Sequence, residues 1–95
     1  MSVIDIQRSH QLTQQQARAA AERVAIELDQ KFGLEHRWEG ETLHFQRTGL
    51  NGHLEVGKDQ VHVHMQLGFL LCSFQSRLEH EIQRYLDKLF GITAP

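Results

Sequence analysis

The chain has one cysteine and one proline among its 95 residues. With Cys72 alone, no disulfide can form within the chain, which suits a reducing compartment. Because Cys72 lies inside an apolar run, we expect it to be a small buried hydrophobic residue. The proline is Pro95, at the end of the sequence, so no proline interrupts the predicted helices and strands.

Long apolar runs and an excess of basic charge are also missing. The longest apolar stretch, around Gly68 to Cys72, is far shorter than the ~20 residues that a membrane-spanning helix needs, and the first residues have no apolar signal-peptide core. The formal net charge is -2, with lysines and arginines scattered along the chain. Nucleic-acid-binding proteins usually concentrate basic charge on one surface. We therefore expect a cytoplasmic protein without integral membrane insertion and without a nucleic-acid partner.

Sequence signatures of catalysis are missing as well. No glycine pattern resembles a phosphate-binding loop. Cys72, Ser73 and Ser76 have neither the context of a nucleophile elbow nor a base in the same local unit. Most carboxylates fall on helix exteriors or at strand ends, which is typical of solvated charges. We therefore expect a protein that is not an enzyme and that has no cofactor.

Hydrophobic periodicity predicts the element order β-α-β-β-β-β-α. Thr13 and Gln16 form a capping box at the start of the first helix, and Gly33 supplies its left-handed end. After Gly68 the apolar period changes from two to three or four, which predicts a long amphipathic helix ending near Phe90-Gly91. The five strands are expected over residues 3–8, 34–39, 42–50, 53–56 and 61–67.

Turn-forming residues predict how the strands pair. Gly40-Glu41 is typical of a type II′ hairpin turn and Asn51-Gly52 of a type I′ turn, and a longer loop covers residues 57–60. All three hairpins assign the apolar and polar residues to the same two faces of the sheet. They place Leu50 on the polar face beside His53. The apolar face is expected to hold Trp38, Leu43, Phe45, Leu54, Val56, Val61, Val63, Met65 and Leu67, and the polar face Arg37, His44, Gln46, Thr48, His53, Glu55, His62, His64 and Gln66.

This order predicts a single domain over residues 1–95 of the α+β class. A five-stranded antiparallel sheet would bury its apolar face against two helices on that side. The first strand is joined to the sheet through a helix and not through a tight turn, so its position in the sheet stays open.

Four residues of the polar face, His53, Glu55, His62 and His64, form the sharpest candidate site. They are expected to be neighbours on two paired strands, about 5 Å apart across the ladder. Imidazole and carboxylate groups are metal-ligand types, but their spacing matches no zinc motif, and an open sheet face gives ligands little outer support. We therefore expect a solvated or partner-covered face without a metal, and keep a metal site at these residues as the alternative.

Four aromatic residues, Trp38, Phe45, Phe69 and Phe74, form a second candidate site. They could line a cavity between the sheet and the C-terminal helix and hold an apolar or acyl ligand. A chain of this length also needs such residues to fill its core, and we favour the core.

Two stretches of the chain are similar to a family of small bacterial proteins, the putative polyhydroxyalkanoic acid system proteins. They are HRWEGETLHFQRTGLNGHLEV and LGFLLCSFQSRLEHEI, and IDIQRSHQLTQQQARAAAE resembles the opening of that family. The resemblance extends from about Val3 to Phe90. The family takes its name from polyhydroxyalkanoate storage genes and granules, so the resemblance implies an accessory role at granules, with the granule or its proteins as partners. It implies no catalytic or binding residues.

The element order also resembles a shortened helix-grip (START-like) fold, in which the first strand pairs with the last. Because function does not follow from fold, three functions stay open. The first is a non-enzymatic interaction protein, acting at granules or as a homodimer, through the polar sheet face or through an edge strand such as residues 34–39. The others are a carrier of an acyl ligand and a histidine-rich metal binder. We favour the first because the polar face is broad and carries no catalytic grouping.

Overall fold

Residues 2–90, which the computed structural model describes, form an antiparallel sheet, two α-helices and a 3₁₀ segment. The strand order in the sheet is β1-β5-β4-β3-β2, and both helices lie on one face, which confirms the predicted α+β class. The elements are β1 (Ser2–Ser9), α1 (Gln14–Phe32), β2 (Glu35–Glu39), β3 (Thr42–Arg47), β4 (Leu50–Val56), β5 (Gln60–Leu67), the 3₁₀ segment (Phe69–Phe74) and α2 (Gln75–Leu89).

Helix α1 begins and ends where the sequence predicts. The Thr13 hydroxyl accepts a hydrogen bond from the Gln16 backbone N–H at 3.1 Å, and the Gln16 side chain accepts one from the Thr13 N–H at 3.2 Å. Gly33 ends the helix with φ 69°, in the left-handed region that glycine adopts without strain. Small side chains let the helix approach the sheet closely, and its buried residues are Ala17, Ala21, Val24, Ala25 and Leu28.

The hairpins on either side of the central strands have the predicted register. Trp38 lies opposite Leu43 across the Gly40-Glu41 turn, where Gly40 has φ 63°. His53 lies opposite His64 across the loop that joins β4 to β5. These pairings bury the predicted apolar face and leave His44, His53, His62 and His64 on the face without helices.

The predicted turn between β3 and β4 is wrong. The turn is formed by Thr48 and Gly49, with φ 84° at Gly49, and it places Arg47 opposite Leu50. Leu50 therefore belongs to β4 and is buried on the apolar face, contrary to its expected place beside His53. Gly52 lies inside β4, opposite Met65, and a Cβ there would be 2.5 Å from the His64 carbonyl oxygen. This glycine permits close packing of two strands and does not form a turn.

The C-terminal helix starts later than predicted. A 3₁₀ segment follows Gly68, whose N–H donates to the Gly49 carbonyl at 2.7 Å, and α2 begins only at Gln75. Residues three apart lie on one side of a 3₁₀ helix, so Phe69 and Cys72 both point away from the core and are exposed. The expectations that Cys72 is buried and that Phe69 belongs to the core are therefore wrong. The same expectation is wrong for Phe74, at the end of the 3₁₀ segment, whose side chain is 47% exposed.

Strand β1 pairs with β5, at the position that the sequence left open. Ile4 lies opposite Met65 and Ile6 opposite Val63, so β1 adds two apolar side chains to the core. The first and last strands pair, as the helix-grip resemblance implies. The largest fully buried side chains are Phe45, Phe90, Ile4, Leu28, Leu34, Leu43, Leu54, Met65, Leu67, Ile82, Leu86 and Val24.

Candidate functional site: a histidine face and an apolar cap

One row of facing residues crosses all five strands on the polar side of the sheet. It runs from Arg37 on β2 through His44, His53 and His64 to Asp5 on β1. His62 and Glu55 face each other in the neighbouring row. We call the following residues the histidine face: Asp5, His44, His53, Glu55, His62 and His64.

Asp5 joins two histidines of this face. His62 Nε2 lies 2.8 Å from Asp5 Oδ1, and His64 Nδ1 lies 3.2 Å from Oδ2. The hydrogen bond from His62, and after it the bond from His64, lowers the pKa of Asp5 below its ordinary value of 3.8. Asp5 was not predicted as part of this face, because no turn or other local signal in the sequence fixes the register of β1 against β5.

The four predicted site residues of the histidine face do lie together. His53 and His64 stack with ring centroids 5.6 Å apart, and His53 Nε2 lies 3.4 Å from the Glu55 carboxylate. Their imidazoles are thus in contact with carboxylates or with one another. Within residues 2–90, no three His, Cys, Asp or Glu side chains converge in a way that could hold a metal ion.

The four predicted aromatic residues do not share a cavity. Phe45 is in the core, under the centre of the sheet. Trp38 lies at the β2 edge against α1, where its indole N–H donates to Glu22 and the Arg18 guanidinium lies 3.9 Å from the ring centroid. The indole hydrogen bond is the main cause that lowers the pKa of Glu22. Phe69 and Phe74 lie on the 3₁₀ segment, and Phe74 lines a groove with Lys31 and Phe32 at the C-terminal end of α1.

Three apolar side chains at that end are exposed, and we call them the apolar cap: Phe69, Leu70 and Phe74. Their exposed fractions are 88%, 73% and 47%. No aspartate or glutamate occurs in the sequence between Asp59 and Glu79. Exposed neighbouring hydrophobic side chains of this kind mark contact sites for proteins or apolar surfaces.

Neither described helix is long and apolar enough to cross a membrane. A model of the family described as putative polyhydroxyalkanoic acid system protein matches residues 4–90. The chain belongs to this family. No curated protein and no solved structure matches it, so the helix-grip likeness is supported by element order and the β1–β5 pair alone.

The family description names a storage-polyester system and assigns no residue to a role. The apolar cap is the surface that was not predicted from the sequence, since Phe74 fits the apolar period of the predicted helix and Phe69 lies in the apolar run before it. The available signal was Gly68, which separates the strand from the following apolar run and permits a change of direction.

Proposed function

We propose that the protein is a non-enzymatic accessory protein that binds the surface of polyhydroxyalkanoate granules through the apolar cap. The observation that carries this proposal is the exposure of Phe69 and Leu70, side by side on the 3₁₀ segment. A polyester surface offers apolar chains and uncharged esters. Because residues 60–78 contain no aspartate or glutamate, none of the cap's neighbours along the chain is a carboxylate that would lose water when the cap makes contact.

The size of the cap suits reversible attachment. Complete burial of a Phe or Leu side chain contributes about 1.5–3 kcal/mol. Phe69 and Leu70 together would therefore contribute about 4 kcal/mol, which is roughly a thousandfold in an equilibrium constant. Phe74, which is about half exposed, adds to the same contact.

The placement of the reactive side chains supports a non-enzymatic role. Cys72 and Ser73 lie on the 3₁₀ segment, and Ser76 lies on α2, which covers the apolar face of the sheet. The imidazoles of the histidine face lie on the opposite side of the sheet. Nucleophilic catalysis needs the nucleophile and its base within hydrogen-bond reach, and no hydrogen bond among the described residues joins Cys72, Ser73 or Ser76 to an imidazole.

Co-sedimentation with protein-free poly(3-hydroxybutyrate) particles tests the proposal. We expect the wild-type protein to bind and the double variant Phe69→Ser/Leu70→Ser to lose affinity at least tenfold. Both side chains project into solvent, so the variant should keep the wild-type melting temperature. The matched control is His53→Ala/His64→Ala, which removes two large side chains from the histidine face and should bind as the wild type does.

Equal binding by the wild type and the cap variant would overturn the proposal, and a loss confined to the histidine variant would move the contact to the polar sheet face. A fluorophore sensitive to polarity on Cys72, the single cysteine, gives a second readout within the cap. Its emission should shift to the blue on particle binding. Sedimentation velocity tests whether the cap instead binds a second copy of the chain. A homodimer that depends on the cap, together with no binding to particles, would contradict granule binding.

A further inference from the structure

A groove with a volume of about 320 Å³ lies behind the apolar cap. It runs between the C-terminal end of α1, the β3–β4 turn and the start of α2. Its floor is apolar and buried, formed by Leu34, Leu50, Leu67 and Leu78. A volume near the lower end of the ~300–1,000 Å³ typical of small-molecule sites suits one narrow chain better than a bulky ligand.

Among the described residues that line this groove, three are cations and none is a carboxylate; the cations are Lys31, Arg47 and Arg77. Lys31 lies 3.6 Å from Glu81, so its charge is already paired. Arg47 donates one N–H to the Phe32 carbonyl at 2.6 Å, which positions its guanidinium at the groove and leaves other N–H groups available. Arg77 makes no ion pair with the described residues. In a chain of net charge -2, this concentration of positive charge is local to the groove.

The wall of the groove is held in place by the backbone. The Gly68 N–H donates to the Gly49 carbonyl at 2.7 Å, and the Leu71 N–H donates to the Gly68 carbonyl at 3.1 Å. These bonds fix the 3₁₀ segment against the β3–β4 turn. A site formed before the ligand arrives loses less conformational entropy on binding.

We propose that this groove binds a single-chain carboxylate, with its apolar tail on the leucine floor and its carboxylate against Arg47 and Arg77. Guanidinium groups bind carboxylates through paired, charge-assisted hydrogen bonds. An apolar floor beside two arginines matches an anionic amphiphile, whereas a neutral chain would leave both charges without a counterion. The groove shares Phe74 with the apolar cap, but it uses neither Phe69 nor Leu70, the two residues that carry the proposed granule binding, so variants of these two residues separate the proposals.

Titration with decanoate tests the site, with amide NMR shifts as the readout. We expect saturable binding of one decanoate, with the largest shifts at Leu50, Leu71 and Leu78. Decanol, which has the same tail without the charge, should bind at least tenfold more weakly, and decyltrimethylammonium should not bind the groove. Decanol binding as tightly as decanoate would overturn the role of the arginines.

Charge reversal at the rim gives the second arm of the test. Arg77→Glu should weaken decanoate binding at least tenfold, and Arg47→Glu should act in the same direction. Arg47 also supports the end of α1, so the Arg47 variant could unfold. In that case the Arg77 variant is the decisive one, because the Arg77 side chain is exposed on α2. Arg23→Glu is the matched control, because it makes the same charge change on the exposed side of α1, away from the groove. If Arg23→Glu weakens binding as much as Arg77→Glu, the effect is one of net charge and the site is wrong.

The chemistry of the ligand can come from a fatty acid or from a hydroxyalkanoic acid, and 3-hydroxydecanoate compared with decanoate distinguishes them. Tighter binding of either identifies the source, and equal binding supports the shared tail-and-carboxylate recognition. The variant Phe69→Ser/Leu70→Ser should bind decanoate as the wild type does while losing polyester particles. The proposal for the groove and the proposal for the cap can therefore be refuted independently.

Discussion

The histidine face and the apolar cap are both exposed, but their side chains differ in whether the fold supplies them with partners. On the histidine face, Asp5 contacts His62 and His64, and Glu55 lies beside His53. In the cap, Phe69 and Leu70 project into solvent. Polar groups on adjacent strands can satisfy one another within the sheet, but an apolar side chain leaves water only when a second surface covers it.

The comparison shows that the more conspicuous pattern in a sequence need not be the surface left for a partner. Alternating histidines draw attention to the sheet, yet the structure pairs them internally. In the sequence the cap belongs to an apolar run that resembles core, and the fold turns it outward. Measurements of stability test how firmly the fold holds the residues around the histidine face.

The largest effect is expected at Gly52, beneath the centre of the histidine face. In Gly52→Ala, the new Cβ would meet the His64 carbonyl oxygen at 2.5 Å and the Met65 Cα at 2.8 Å. These atoms belong to the backbone of β5 and cannot rotate away, so we expect a loss of about 3 kcal/mol in the free energy of unfolding. Urea unfolding measures it. Asn51→Ala, at the exposed neighbouring position, should change stability by no more than about 0.5 kcal/mol, and equal losses in the two variants would contradict the close approach of the strands.

A smaller effect is expected at His10, the buried histidine outside the histidine face. Its Nδ1 accepts from the Leu12 N–H at 3.1 Å, its Nε2 lies 3.1 Å from the Gly57 carbonyl, and its ring packs 5.7 Å from that of Phe90. His10→Ala removes both hydrogen bonds and leaves a cavity, so we expect a loss of about 2 kcal/mol.

His80→Ala is the matched control for His10, because His80 is exposed on α2. It should change the free energy of unfolding by no more than about 0.5 kcal/mol. If the His10 variant is as stable as this control, the link between the end of β1 and the β4–β5 loop does not stabilise the fold.

The smallest effect is expected at Asp5, and it depends on pH. Because its pKa is lowered in the folded protein, Asp5 contributes stability above the unfolded carboxylate pKa of about 3.9, and this contribution is lost as the pH falls through the lower folded value. Asp5→Asn should therefore be slightly less stable than the wild type at pH 5, and the difference should shrink towards pH 2.5. Thermal unfolding at both pH values measures it.

The control for Asp5 is Glu35→Gln, which removes a carboxylate from the same side of the sheet. Glu35 accepts no hydrogen bond from a described side chain, so its variant should differ from the wild type by a constant amount across this range. A difference that stays constant for Asp5→Asn as well would show that the histidine contacts do not stabilise the folded protein.

Local signals in the sequence predicted those elements whose ends are fixed by neighbouring residues. Three such signals are the capping box at Thr13, the glycine after α1 and the Gly40-Glu41 turn. Each satisfies backbone groups within a few residues, so the structure formed there does not depend on the rest of the fold. The prediction of the β3–β4 turn was wrong because two nearby glycines, Gly49 and Gly52, could each form it. Only the packing of Gly52 against β5 shows that Gly49 must form it.

The sequence by itself determined the fold class, the two faces of the sheet and the contact between His53 and His64, because alternation and short loops are local constraints. Only the tertiary structure decided that Asp5 joins these histidines, since a strand reached through a helix has no turn to set its register. It also decided that Leu50 is buried, through the turn at Thr48 and Gly49. It decided that Phe69 and Leu70 are exposed, because the 3₁₀ segment follows the hydrogen bond between Gly68 and Gly49. That bond joins residues distant in the chain, and no periodicity in either segment encodes it.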